Sequence, residues 1–159
     1  MNEAIILIGS NINPQKNIRD CLFLLLESVT VVARSQIWRT KSFGSEGPDF
    51  LNLAVTVNTD LHEKQLKESI LRKIEDQLGR VRSSNKNAPR TIDLDTIIFN
   101  DVIIDDELWE KAFIAIPVAE LKPSLCYYDS TRTLRGIANE FKRSEQAELY
   151  IPPAGFFPY

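Results

Sequence analysis

One histidine, His62, one methionine, Met1, and two cysteines, Cys21 and Cys126, are all that 159 residues hold of these types. Any mechanism that needs two histidines is therefore excluded, and two cysteines without metal-like spacing give neither a zinc site nor a disulfide framework. Glycine is scarce at six, and no G-x-x-x-x-G-K-[ST] run exists, which rules out a Walker-type phosphate loop. Long apolar runs are missing too. The longest, Cys21 to Leu26, falls far short of the roughly 20 residues that cross a bilayer. Basic residues hold no majority, with 19 against 22 acidic ones and a formal net charge of −3. A general nucleic-acid binder needs a broad positive footprint that this chain lacks. The start, Met1-Asn2-Glu3-Ala4-Ile5, has no basic region or cleavage site of a secretory signal, so a cytoplasmic location is expected. With 43% hydrophobic and 26% charged residues, the chain can build a core and reads as a single domain over 1–159.

Ala4 to Ile8 is a short apolar run that ends in Gly9-Ser10-Asn11, a buried strand entering a turn. Asn13-Pro14 suits a helix start, with a run to about Ser28 that buries Ile18, Leu22, Leu25 and Leu26. Val29 to Trp38 reads as one strand, 41–48 as a loop, and Asp49 to Asn58 as a strand antiparallel to the previous one. Asp60 and Glu63 resemble a capping box that opens a helix with Leu66, Ile70, Ile74 and Leu78 on one side and Gly79 as its stop. Thr91 to Phe99 is a strand of parallel-sheet or central character. The order is β-α-β-β-α-β, so an α+β, ferredoxin-like fold is expected, with helices on one face of a sheet and a C-terminal hairpin and helix extension. Leu134 to Phe141 has helix spacing, the stretch from Ile151 reads as irregular, and the terminal aromatics are expected to dock on the core.

The sharpest chemistry lies in Arg90-Thr91-Ile92-Asp93-Leu94-Asp95. Residues two apart on a strand share a face, which sets Asp93 beside Asp95 with Ile97 and Phe99 continuing that face. Two carboxylates at the mouth of a buried face repel each other unless a cation joins them, and magnesium suits oxygen ligands shared with a phosphate. A solvated strand end, or an Asp–Arg structural pair, is the competing reading. Arg80, Arg82, Lys86 and Arg90 crowd the preceding segment, where guanidinium forks fit phosphates bidentately. A charged loop can also be merely solvated. Glu75 sits near a helix C-terminus and reads as a surface carboxylate or as a part of the same cleft. Phe43, Phe50 and Phe113, with Asn52, could sandwich a flat aromatic ligand and read its edge, or each Phe could be core. His62 reads as surface, and Gly9-Ser10-Asn11 as a plain turn.

These segments together resemble the 6-hydroxymethyl-7,8-dihydropterin pyrophosphokinase family. The matching pieces are Ile8 to Asn11, Pro48 to Asn52, Glu75 with Leu78 to Arg82, and Pro89 to Asp95, in the family's order. The resemblance implies Mg2+-dependent transfer of pyrophosphate from ATP, the co-substrate, to a hydroxymethyl dihydropterin, in folate biosynthesis. By it, Asp93 and Asp95 hold two Mg2+ ions, and Arg80, Arg90, Asp93 and Asp95 are catalytic. Glu75, Arg82, Arg90 and Lys111 bind ATP, while Thr40, Phe43, Phe50, Asn52 and Phe113 bind the pterin. Its partners are these small molecules alone, with no nucleic acid and no membrane, and a monomer is expected. The chain departs from the family where the segment 108–113, expected as the end of a hairpin, lacks some seven residues that include the family histidine. Lys111 stands where the family has an arginine, and Asn87 where an aromatic is common. A weakly catalytic pterin- or nucleotide-binding homologue, or a pyrophosphokinase for a related pterin, is the alternative.

Overall fold

The computed structural model describes residues 1–42 and 47–159. Its elements are β1 (Asn2–Ser10), α1 (Pro14–Ser28), β2 (Thr30–Arg34), β3 (Ile37–Thr40), β4 (Phe50–Thr59) and α2 (Glu63–Leu66). A π-helical turn, Lys67–Leu71, joins α2 to α3 (Arg72–Gln77). There follow β5 (Asp93–Phe99), β6 (Val102–Ile103), a 3-10 turn Asp106–Trp109, α4 (Ala112–Leu121), α5 (Leu134–Arg143) and β7 (Glu148–Tyr150).

β1 lies in the middle of the sheet because its side chains are apolar in both directions. The strand order is β6-β5-β1-β4-β3-β7, with β2 also on β4, and every pairing is antiparallel. Ala4, Ile6 and Ile8 pack with Ile18 and Leu22 of α1 and with Leu66, Leu71 and Ile74 of the second helical run. Ile5 and Leu7 point the other way, into a core with Ile116 of α4 and Ile137 of α5. The first four β-segments and their helices keep the ferredoxin-like order, but helices cover both faces rather than one. A strand with two apolar faces cannot leave either in water.

Several local expectations change for identifiable reasons. Residues 29–38 form two strands, because Ser35 interrupts the ladder. Its N–H donates to the Ala54 carbonyl at 2.8 Å, while its Oγ accepts from the Ala54 N–H at 2.9 Å. β5 is interior but antiparallel, and its double-sided apolarity reflects the two covered faces. Asn13 precedes α1 in a left-handed conformation, φ 41°, and makes no side-chain cap. Leu26 faces solvent, and Cys21 fills the core position beside Leu22 and Leu25. The second helical run starts after His62 rather than Asp60, with the exposed His62 donating its N–H to Gln65 Oε1 at 3.2 Å. Gly79 does end that run, at φ 83°. The hairpin is β5–β6, turning at Asn100-Asp101, and 108–113 instead holds the end of the 3-10 turn and the start of α4. In the tail a short strand that sequence reading did not assign, β7, precedes Ile151, and the chain from there on is irregular as expected. Phe156 is buried in the first core as expected, while Tyr159 remains half exposed. Among the described residues no helix is long and apolar enough to cross a membrane.

Leu22 is fully buried between α1 and the sheet. Leu22→Ala is expected to lower stability by about 2–4 kcal/mol in urea denaturation, from lost transfer energy plus the cavity left behind.

Candidate active site

The sheet face that carries α4 and α5 also floors a cleft of about 330 Å3. Strand register brings the floor together: Gly9 lies opposite Asn52 of β4 on one side and Asp93 of β5 on the other, and Leu7 lies opposite Asp95. Phe50 and Thr40 border one end, and Lys86 to Arg90 form a rim. Asp105, Glu107, Lys111 and Phe113, leading into α4, close the far side.

Gly9 is required by this register. A Cβ there would come within 2.9 Å of Asn52 Oδ1 and 3.8 Å of the Phe50 ring. With only hydrogen at that position, the buried Asn52 amide lies against the strand and donates from Nδ2 to Thr40 Oγ1 at 2.8 Å. Ser10 and Asn11 serve the architecture of the rim. Ser10 Oγ donates to the Thr91 carbonyl at 2.5 Å, and Asn11 Oδ1 accepts the Arg90 N–H at 2.7 Å. The turn after β1 thus anchors the end of the basic segment.

Asp93 and Asp95 share the cleft face, as alternation on a strand requires. Beyond them the alternation breaks at Ile97, where the β1–β5 register shifts. Ile97 stays on the cleft side, and Phe99 packs on the opposite core, contrary to the simple pattern. Both oxygens of Asp93 are engaged: Oδ1 by Arg80 Nη1 and Oδ2 by Arg90 Nη1, each at 2.6 Å. The same Arg80 Nη1 donates to Glu75 Oε2. Arg82 reaches Glu75 Oε1 at 3.0 Å and Asp76 at 2.9 Å.

Glu75 is buried, only 3% exposed, and not on the surface. Its Oε2 also accepts the Leu94 N–H at 3.2 Å, so one carboxylate joins α3, the basic segment and β5. Burial raises its pKa, against the pull of the Arg80 charge and the Leu94 hydrogen bond. Asp95 opens onto the cleft but is crowded by protein and by like charge. Its pKa is pushed up to about 7, first by desolvation and then by the charges of Asp93 and Glu75, with Asp105 adding and Arg80 opposing.

The structure therefore brings Thr40, Phe50, Asn52, Arg90, Asp93, Asp95, Lys111 and Phe113 to one cleft. Glu75, Arg80 and Arg82 form a charged layer beside Asp93 and are not part of the cleft lining. Phe43 lies outside the described residues. Among the described residues no group of three or more His, Cys, Asp or Glu could hold a metal ion; the carboxylates lining the cleft are Asp93, Asp95, Asp105 and Glu107. Sequence reasoning missed Asp105 and Glu107. They sit where strand gives way to a 3-10 turn, and Asp105 caps that turn by accepting the Glu107 N–H at 3.0 Å. Glu75→Ala would leave two arginines without their shared buried partner, and a loss of about 3 kcal/mol is expected in chemical denaturation.

Residues 5–123 match the family model of 7,8-dihydro-6-hydroxymethylpterin-pyrophosphokinase (HPPK). A Bacillus subtilis (strain 168) relative named 2-amino-4-hydroxy-6-hydroxymethyldihydropteridine pyrophosphokinase is 36% identical, over 76% of this chain and 78% of the relative. A Synechocystis protein of the same name is 30% identical, over 76% of this chain and 66% of its own length. Among solved structures, wild-type Plasmodium falciparum HPPK-DHPS with SDX-DHP superposes with a TM-score of 0.71 at 13% identity. That match covers 94% of this chain and 47% of the Plasmodium chain, and at such identity it shows the fold alone. This chain thus spans about half the length of that solved chain. The matched family model and the curated relatives show that the chain belongs to the HPPK family, whose reaction transfers pyrophosphate from ATP to a hydroxymethyl dihydropterin in folate synthesis.

Proposed function

We propose that this chain performs that transfer with Asp93 and Asp95 as the ligands of two Mg2+ ions and the cleft as the meeting place of ATP and pterin. The observation that carries the reading is the position of the carboxylate pair, on the cleft floor between an arginine-bearing rim and an Asn52–Phe50–Phe113 slot. The donor set fits magnesium. Both groups are hard oxygen ligands on one strand face, and the like charges crowded around Asp95 favour a cation beside it. When bound, the ions supply charge neutralisation for the phosphates and the attacking hydroxyl.

The chain's own residues do the positioning. Arg90 and Arg80 hold Asp93, and a polyphosphate competes for the same guanidinium forks, so nucleotide arrival exchanges carboxylate for phosphate partners. Arg82 adds a fork from the layer anchored by Glu75, and Lys111 contributes a cationic ammonium without the directionality of a guanidinium. Phe50 and Phe113 stack on the pterin faces, with Phe43 assigned to the same side. Asn52, oriented by Thr40, reads the pterin edge. No general base is assigned, since phosphoryl transfer is carried mainly by alignment and electrostatics. The same proposal takes the chain to act as a monomer in the cytoplasm, a location in keeping with its bacterial relatives.

AMP formation from MgATP is expected to depend on added 6-hydroxymethyl-7,8-dihydropterin. Pterin binding without AMP, read by calorimetry, would instead identify a weakly catalytic homologue or a different acceptor. Asp95→Ala is expected to cut turnover by about a hundredfold or more with an unchanged circular dichroism spectrum; an unchanged rate would remove the metal assignment.

The raised Asp95 pKa also fixes a pH dependence. Folding favours the protonated form, so this group's contribution to stability declines as pH rises from the ordinary carboxylate range to about 7. A cation must displace that proton. Mn2+ affinity, titrated by paramagnetic resonance, is expected to climb with pH by up to about tenfold per unit below 7 and to level above it.

A further inference from the structure

β3 is four residues long and carries the side of the cleft assigned to pterin. Its three pairings with β4 are Trp38 with Asn52, Arg39 with Leu51, and Thr40 with Phe50. Two of those partners are pterin-side residues, and Thr40 itself holds the Asn52 amide. A strand this short, paired on one side only, would fray readily.

The other side is supplied by the C-terminus. β7 pairs Tyr150 with Ile37, Leu149 with Trp38, and Glu148 with Arg39, so half of the ladder that holds β3 comes from the last twelve residues. That segment is anchored at several points. Phe156 is buried in the first core, and the Arg34 guanidinium lies 3.3 Å from the centre of the Phe157 ring. Arg39 sits 5.4 Å from the Tyr150 ring centre, and Gln15 donates to the Tyr150 hydroxyl. The strap lies beyond residues 5–123, the part matched by the family model. Asp93, Asp95 and the arginines hang from β5 and its approach, with β1 and β4 between them and β3.

We infer that the C-terminal strap, β7 with its Phe156 anchor, positions the pterin side of the cleft by clamping β3, so that strap docking and pterin binding reinforce each other. This rests on the assignment of the Phe50–Asn52 side to pterin. Reciprocity makes it measurable: if docking favours pterin binding, pterin binding favours docking by the same factor. The nucleotide side, borne on other strands, stays outside this coupling.

The test is hydrogen exchange on the full chain, free, saturated with 6-hydroxymethyl-7,8-dihydropterin, or saturated with a non-hydrolysable MgATP analogue. Pterin is expected to slow exchange of the Glu148–Ile151 amides about threefold or more, and the analogue is expected to leave them unchanged. In parallel, Phe156→Ala is expected to weaken pterin binding about fivefold with analogue binding held within about twofold. Its KM for pterin should rise with kcat nearly unaltered. Equal weakening of both ligands, or intact pterin affinity with a loosened strap, would overturn the inference. If Phe156→Ala does not fold, the exchange measurement on the unaltered chain decides. A chain that binds pterin without protecting β7 overturns the strap's role alone, whereas a chain that binds no pterin overturns the assignment of the cleft with it.

Discussion

A buried negative charge organises this molecule's chemistry. Glu75 is held away from water at the end of α3, and burial alone would drive it toward the neutral acid. Two arginines and the Leu94 N–H offset that cost. One of the arginines, Arg80, reaches on to Asp93. The helix end, the basic segment and the strand that carries Asp93 are thus tied through one carboxylate. If Glu75 were a surface group, Arg80 would have no fixed origin from which to meet Asp93.

The sheet supplies the rest of the geometry by register. Gly9 leaves room for Asn52 on one side and lies against Asp93 on the other, so the two chemical halves of the cleft are set one strand apart on either side of β1. Both faces of β1 are apolar, and the face covered by α4 and α5 also floors the cleft. The start of α4 can then bring Phe113 across from Phe50. Core and cleft are two regions of the same surface.

What the sequence reveals follows from periodicity. The pairing of Asp93 with Asp95 on one face, the ferredoxin-like order of the first elements and the stop at Gly79 are all local, and local patterns are readable. The reading failed where a tertiary contact overrides the pattern. Ser35 splits one apparent strand by exchanging hydrogen bonds with Ala54. The register shift near Ile97 sends Phe99 to the other core. Glu75 looks like a surface residue in a charged run, because nothing in that run shows that Arg80 and Arg82 converge on it. β7 is three residues long and gains its identity only from β3.

The π-helical turn between α2 and α3 bears on the same carboxylate. A π turn holds one residue more than an α turn, and one residue is about 100° of rotation about the helix axis. Leu66, Ile70, Ile74 and Leu78 recur every four residues, a spacing that in pure α-helix drifts about 40° per step around the cylinder. The wider turn at Lys67–Leu71 takes up part of that drift, so Leu66 before it and Ile74 and Glu75 after it can address the same sheet. The helix behaves as two dials on one shaft. The first is set by the core at Leu66 and the second by the core at Ile74 together with the Glu75 network, and a single residue gained or lost between them would turn both Ile74 and that network away while leaving Leu66 in place.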